Sequence, residues 1–313
     1  MTRPASKNTL TAIVLLLLSM LMPGQVFAAE KMVGVIMTGN IPYYREVHKA
    51  FTQTLASEGF APGRVTVVMQ SPTPEPMSWR NAARKLIAIG SDIIVSYGAP
   101  ATLTVVGETS DIPVIFAAVF DPAGVGISSA RNATGISSKV PVATLIKNLK
   151  SISDFSTLGV IYNEAEKDTV VEANEVRQLE RTYGFRSVKF NIRRTEDTTK
   201  IAQVDALFLT TSCSAMYCVN NIVSIARRGR MATASTIGGG ENNGLILTIE
   251  ANPAEQGAGA AQLVARILRG AKPSSLPVVQ PKKVDLILNL KEATSLGLKI
   301  PFDLLTAATK VIK

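Results

Sequence analysis

The segment of this chain best suited to gripping another molecule is Ser96-Tyr97-Gly98-Ala99-Pro100-Ala101-Thr102. Small residues let a ligand approach the backbone, and Pro100 suits the first position of a following helix. Such a helix points free N–H groups and the positive end of its dipole at whatever lies before it, which suits an anion. Asn163, Thr210, Thr211 and Ser212 are uncharged groups that can orient a polar molecule without large desolvation losses, and Asn40 and Thr236 are of the same kind. Tyr43 and Tyr44 offer aromatic walls, and Phe120-Asp121 closes another apolar run, where Asp121 before Pro122 reads as a turn residue.

Other chemistries find little support. His48 is the only histidine and Cys213 and Cys218 are the only thiols, so a metal centre and a His-dependent nucleophile both lack their parts. No Gly-x-Ser-x-Gly elbow occurs. Gly238-Gly239-Gly240 is not followed by Gly-Lys-Ser/Thr, so it reads as a flexible loop, and no cofactor motif is expected. Glu164, Glu166 and Asp168 read as a solvated acidic turn. The two cysteines are five positions apart, and on a regular helix their Cβ atoms would diverge. A disulfide therefore requires a loop there, and the sequence leaves the bridge and the free thiols both open.

The elements that must position these residues alternate. Apolar runs at 31–38, 64–70, 92–96 and 113–119 read as strands. Helical patterns at 44–58, 78–89 (with Ser78 as cap) and a short one ending near Gly107 separate them. The rhythm restarts with strands at 158–162, 187–191, 206–211, 230–235, 245–249 and 284–289. Helices fall at 169–183, weakly at 195–203, at 220–228, 255–268 and from Leu290 onward. Such alternation implies α/β architecture, two doubly wound lobes with parallel sheets, with 132–141 as an irregular link. In open parallel sheets ligands meet the carboxyl ends of the strands, where all the residues named above fall.

Arg3 and Lys7, then the apolar run Ala12–Met22, then Val26-Phe27-Ala28 follow the grammar of a secretory signal peptide, so residues 1–28 are expected to be removed near Ala28 and the chain to act in the periplasm. The net charge is +9, falling to +7 without Arg3 and Lys7, and the basic residues are scattered. Nucleic-acid binding would need a concentrated stripe, so none is expected.

In its order of motifs the chain resembles the substrate-binding proteins of ABC transporters, in the group of tryptophan- and tyrosine-type binders related to type 1 periplasmic binding proteins. Gly98-Ala-Pro-Ala101, the Pro113-Val-Ile-Phe strand with Asp121-Pro122, Asn132-Ala-Thr-Gly-Ile136, Gly159-Val-Ile-Tyr-Asn163 and Leu288-Asn289-Leu290 with Leu296-Gly-Leu-Lys-Ile-Pro301 carry the likeness. The resemblance implies a monomeric, non-enzymatic capture protein that closes on a small molecule by a hinge and delivers it to a permease in the inner membrane. Docking on a receptor, or an exported α/β enzyme, are the alternatives. It further implies lobes of 29–136 with 247–278 and of 137–246 with 279–313, about three crossings, a ligand carboxylate on the Ala99–Thr102 turn near Asp121, and a contact from Asn163. Amino-acid binders of this group carry Thr-Asp-Asn where this chain has Thr211-Ser212-Cys213, and Ser235-Thr236 stands where an acid is common. Losing that charge weakens an ammonium contact by about 1.5–3 kcal/mol. A neutral or anionic ligand is thus as well supported as an amino acid.

Overall fold

The computed structural model describes residues 30–238 and 243–313. The expected signal segment and the glycines Gly239 and Gly240 lie outside the described residues.

Strands Lys31–Met37 (β1), Val65–Gln70 (β2), Ile93–Tyr97 (β3), Val114–Val119 (β4) and Ala133–Ser137 (β5) form a wholly parallel sheet in the order β2-β1-β3-β4-β5. Strands β3 and β4 are buried along their whole length, as a sheet covered on both faces requires. Between them run helices Pro42–Ser57 (α1), Pro76–Ala88 (α2) and Ala99–Glu108 (α3). Helix α1 buries Tyr43, Tyr44, Val47, Phe51 and Leu55, a single stripe at helical spacing. Helix α2 begins two residues before Ser78, because the fixed φ of Pro76 suits a first turn; Ser78 instead bonds to Thr73, 2.8 Å away.

The second lobe contains Val142–Ile152 (α4), Thr157–Tyr162 (β6), Lys167–Gln178 (α5), Glu180–Tyr183 (α6), Arg186–Asn191 (β7), Ala206–Leu209 (β8), Cys213–Tyr217 (α7), Val219–Gly229 (α8), Ala232–Ser235 (β9) and Leu247–Ala251 (β10). Pro253–Leu268 (α9), Val284–Asn289 (β11), Leu290–Ser295 (α10), Phe302–Ala307 (α11) and Lys310–Ile312 (β12) complete the chain. The seven strands run β12-β11-β10-β9-β8-β6-β7, all neighbours parallel except β10 with β11. The two doubly wound lobes expected from the alternation are present.

Several expectations need correction. Part of the supposed irregular link 132–141 is strand β5, and α4 follows it with Val142, Leu145, Ile146, Leu149 and Ile152 all buried. The weak helix at 195–203 is a 3-10 turn, Thr195–Lys200, as polar residues without an apolar stripe allow. The terminal helix is two short ones, interrupted at Gly297 and Pro301, followed by β12. Residues 247–251, assigned above to the first lobe, are strand β10 of the second sheet, fixed by ladders to β9 and β11. Only from α9 does this segment join the first lobe, where α9 packs on α1, β4 and β5.

The chain thus crosses between sheets after β5, between β10 and α9, and before β11, three strands of backbone lying together. Ser137 N–H bonds to the Val279 carbonyl at 2.8 Å, and the Gln256 side chain ties Ala118 N–H to the Ser137 carbonyl. Helices α9 and α1 approach so closely that a Cβ on Gly257 would stand 2.1 Å from the Val47 carbonyl oxygen and 2.7 Å from Phe51 N. Backbone cannot yield there as a side chain can. Gly257→Ala is expected to destabilise the protein by about 1–3 kcal/mol, the usual cost of overpacking; an unchanged urea midpoint would contradict that close approach.

Candidate functional site

The tips of the two sheets meet. The Asn40 N–H donates to Tyr217 Oη at 2.6 Å, Gly39 lies against Cys213 and Tyr217, and the Tyr43 hydroxyl donates to the Ala251 carbonyl at 2.7 Å. Each of these contacts joins a residue just after β1 to the far side.

On the first lobe, β3 passes into α3 through Gly98, whose φ of +88° is a conformation that glycine adopts without strain. A Cβ there would also strike Tyr44 Oη at 2.4 Å and Thr38 Oγ1 at 2.5 Å. The helix begins at Ala99, with Pro100 in its first turn as expected. Its N–H groups, however, are not free. Ala99 N–H faces the Asp168 carboxylate of the other lobe. Pro100 has none to give, Ala101 N–H donates to Thr38 Oγ1 at 3.3 Å, and Thr102 N–H to the Gly98 carbonyl at 3.2 Å. The Thr102 hydroxyl also turns back to Gly98 and Ser96.

The second lobe holds what the sequence reading missed. Glu166 and Asp168, read as a solvated turn, are 1% and 3% exposed, and Glu172 is fully buried. Only Glu164 of that group is exposed. Glu166 accepts from Asn163 Nδ2 at 3.1 Å, Ser212 Oγ at 3.1 Å, Cys213 N–H at 2.8 Å and Ser214 N–H at 3.0 Å. Glu172 accepts from Thr211 N–H at 2.8 Å, the Thr211 hydroxyl at 3.1 Å and the Thr236 hydroxyl. The segment Thr211-Ser212-Cys213, read as a loss of charge, is therefore wrapped around two carboxylates, one from the residue just before α5 and one from α5 itself. One signal was available: Glu172 falls among Thr169, Ala173 and Val176, on the stripe that α5 buries.

Electrostatics follow from burial. Desolvation pushes Glu166 above the usual carboxylate range. Burial, then the Glu166 charge, pushes Asp168 up to about 7, against the pull of nearby backbone N–H groups. Burial pushes Glu172 up to about 8, against hydrogen bonds from Thr236 and Thr211. Tyr44 is raised by burial and then by Cys213, Asp168 and Glu166.

Of the expected site residues, Asn163, Thr211, Ser212 and Thr236 gather around Glu166 and Glu172, Asn40 reaches the second lobe through Tyr217, and Ala101 and Thr102 bond within the first lobe to Thr38, Ser96 and Gly98, beside Tyr44. Tyr43 sits at its edge, lining a cavity of about 210 Å³ with Glu46 and Glu250. Phe120 and Asp121 serve the crossing instead. Phe120 is buried in the second lobe's core beside Val140 and Val142, under Lys139. Asp121 accepts from Lys139 at 2.9 Å and from Gly124 N–H at 2.8 Å. The cause is a ladder irregularity between Phe116 and Val119, with Ala118 at a φ of 57°. A larger groove, about 770 Å³, opens beside the seam between Glu75, Pro76 and Met77 on one side and Asn163, Lys189 and Arg193 on the other. Among the described residues no cluster suits a metal ion, and no helix is long and apolar enough to cross a membrane.

Cys213 and Cys218 are buried free thiols, on α7 and just after it, so the disulfide left open above is not formed. Burial raises both, and for Cys213 the Glu166 and Asp168 charges add to it. A thiol reagent is expected to label neither quickly in the native protein and both after unfolding; an unfolded chain without reactive thiol would contradict this.

The chain is 19% identical over 272 residues to the tyrosine-binding protein of Clostridioides difficile (strain R20291), covering 83% of this chain and 79% of that one. The ABC domain from Streptococcus pneumonia in complex with L-Trp superposes with a TM-score of 0.85 at 22% identity, over 91% of this chain and 100% of that one. The ligand-free, open structure of a substrate-binding protein with adhesive properties from Clostridium difficile gives 0.65 at 21% identity, over 90% and 99%. The fold is that of type 1 periplasmic binding proteins. Residues 32–312, which contain both sheets and the seam between their tips, match the family described as ABC transporter substrate binding protein, so the chain belongs to that family and its role is to bind a solute.

Proposed function

We propose that this protein, exported to the periplasm and freed of residues 1–28, takes a small solute between its lobes as a monomer, closes on it, and presents it to an inner-membrane ABC permease without chemical change. The observation that carries this reading is the meeting of strand tips from both sheets around one buried polar seam. Asn40, Tyr44 and the start of α3 on one side would contact the solute, with Asn163, Thr211, Ser212 and Thr236 behind Glu166 and Glu172 on the other. The nearer likeness to the L-Trp complex than to the open structure, at almost equal identity, supports a closed arrangement here. The crossings after β5, before α9 and before β11 supply the hinge.

Solution scattering and thermal unfolding over a broad solute set test it. A captured solute should reduce the radius of gyration relative to the solute-free protein. It should also stabilise the folded state, by about 2.7 kcal/mol at a hundredfold excess over Kd. A melting temperature unmoved by every solute, with scattering that never changes, would remove the reading; recovery of a bound solute chemically altered on incubation would favour an enzyme.

A further inference from the structure

Glu166, Asp168 and Glu172 are buried together, and none takes part in an ion pair among the described residues. Glu166 and Glu172 have hydrogen bonds at both oxygens. Asp168 does not: its Oδ1 has no hydrogen-bond partner among the described residues, although the residue is 3% exposed. A buried acceptor left unsatisfied is costly and calls for an explanation, such as a ligand not yet in place. Among the described residues the opposite wall brings no cation to it. In the first turn of α3, Pro100 has no N–H, Ala101 N–H donates to Thr38 Oγ1 and Thr102 N–H to the Gly98 carbonyl, which leaves Ala99 N–H, facing the Asp168 carboxylate. The start of that helix, which could have received a solute's carboxylate, receives the protein's own. What the seam has left to offer is an acceptor.

We propose that the solute is an organic cation, a primary or secondary amine without a carboxylate of its own, whose N–H groups bond to Asp168 Oδ1 beside Glu166. This rests on the seam being the solute site. An incoming ammonium supplies both the missing donor and the missing positive charge, and Tyr44, which feels the Asp168 charge, gives it an aromatic neighbour. An α-amino acid would bring a fourth carboxylate to three, and the one N–H left in the first turn of α3, that of Ala99, already faces Asp168. The neutral and anionic ligands that Thr211-Ser212-Cys213 suggested from the sequence would leave Asp168 Oδ1 as it is or worsen its surroundings.

Calorimetry and thermal shift with three series matched in carbon skeleton test this: alkyl and aralkyl amines, the corresponding α-amino acids, and the corresponding carboxylic acids. Amines are expected to bind and the acids not to. Asp168→Asn should weaken the amines about ten- to a hundredfold, the worth of a charged hydrogen bond. The same variant should raise the melting temperature of the solute-free protein at pH 8, which shows that it folds and that the carboxylate is held at a cost. Amino acids or carboxylic acids binding as tightly as amines would overturn the proposal while leaving solute capture in place. So would amine affinity unchanged in a folded Asp168→Asn, or no amine binding at all. If, in addition, no sugar, polyol or other solute moves the melting temperature or the scattering, the capture reading itself falls.

Discussion

Glu166→Ala should lower the unfolding free energy by about 2–6 kcal/mol, the cost of stranding two buried backbone donors. The Glu166 carboxylate receives two backbone N–H groups, from Cys213 and Ser214. Removing it strands both in a site where water does not reach, and each buried orphan costs about 1–3 kcal/mol. Asn163 and Ser212 lose a partner as well, but each keeps another: Asn163 bonds to Ser214 Oγ at 2.9 Å, and Ser212 Oγ accepts from Ala215 N–H at 3.1 Å. Glu166→Gln should cost less, since its carbonyl oxygen can still accept from Ser214 N–H while its amide nitrogen leaves only Cys213 N–H without an acceptor. Urea unfolding of the two variants separates these cases. Equal losses would mean that the charge matters and the N–H groups do not. No loss in either would mean that 211–214 holds its shape without α5.

How much of this was open to reading in the chain itself can be judged residue by residue. Parallel strands buried on both faces are continuous apolar runs, and Ile93–Tyr97 and Val114–Val119 announce themselves that way. The α3 turn was equally plain, because Gly98 and Pro100 leave few other conformations. Strand β5 was not, since Ala133-Thr-Gly-Ile-Ser137 is short, carries a central glycine and is recognisable only by pairing with β4. Nor could local pattern say that Leu247–Ala251 belongs to the second sheet, a partnership made through β9 and β11, more than ten and thirty residues away. The largest miss was the acidic cluster. Three acids within seven residues of a helix start suggest solvent, and only the backbone donors of Cys213 and Ser214, some 47 residues on, make their burial possible. Chemistry that depends on such distant partners is written in the fold, while the sequence preserves only the oddity of Glu172 on an apolar stripe.

Those same acids set how stability should vary with pH, in the opposite sense from most carboxylates. Asp168 at about 7 and Glu172 at about 8 hold their protons far above the ordinary values of roughly 4 that they regain on unfolding. Between these limits the folded chain binds more protons than the unfolded one, so stability falls as pH rises. The contribution is fully present near pH 4 and lost by about pH 8, and a shift of three units corresponds to roughly 4 kcal/mol. Glu250, also pushed up to about 8 by burial, acts in the same direction. Asp205 runs the other way. Hydrogen bonds from Thr157 and Ser156 hold it down to about 2, so its contribution is present above pH 4 and disappears in stronger acid. Thermal unfolding of the solute-free protein should therefore show its highest melting temperature near pH 4–5 and a steady decline towards pH 8. Asp168→Asn should flatten part of that decline, and Glu172→Gln another part. A melting temperature that rises from pH 5 to pH 8 would show that the cluster is solvated or paired with a cation, and that the seam is not closed in the way its hydrogen bonds require.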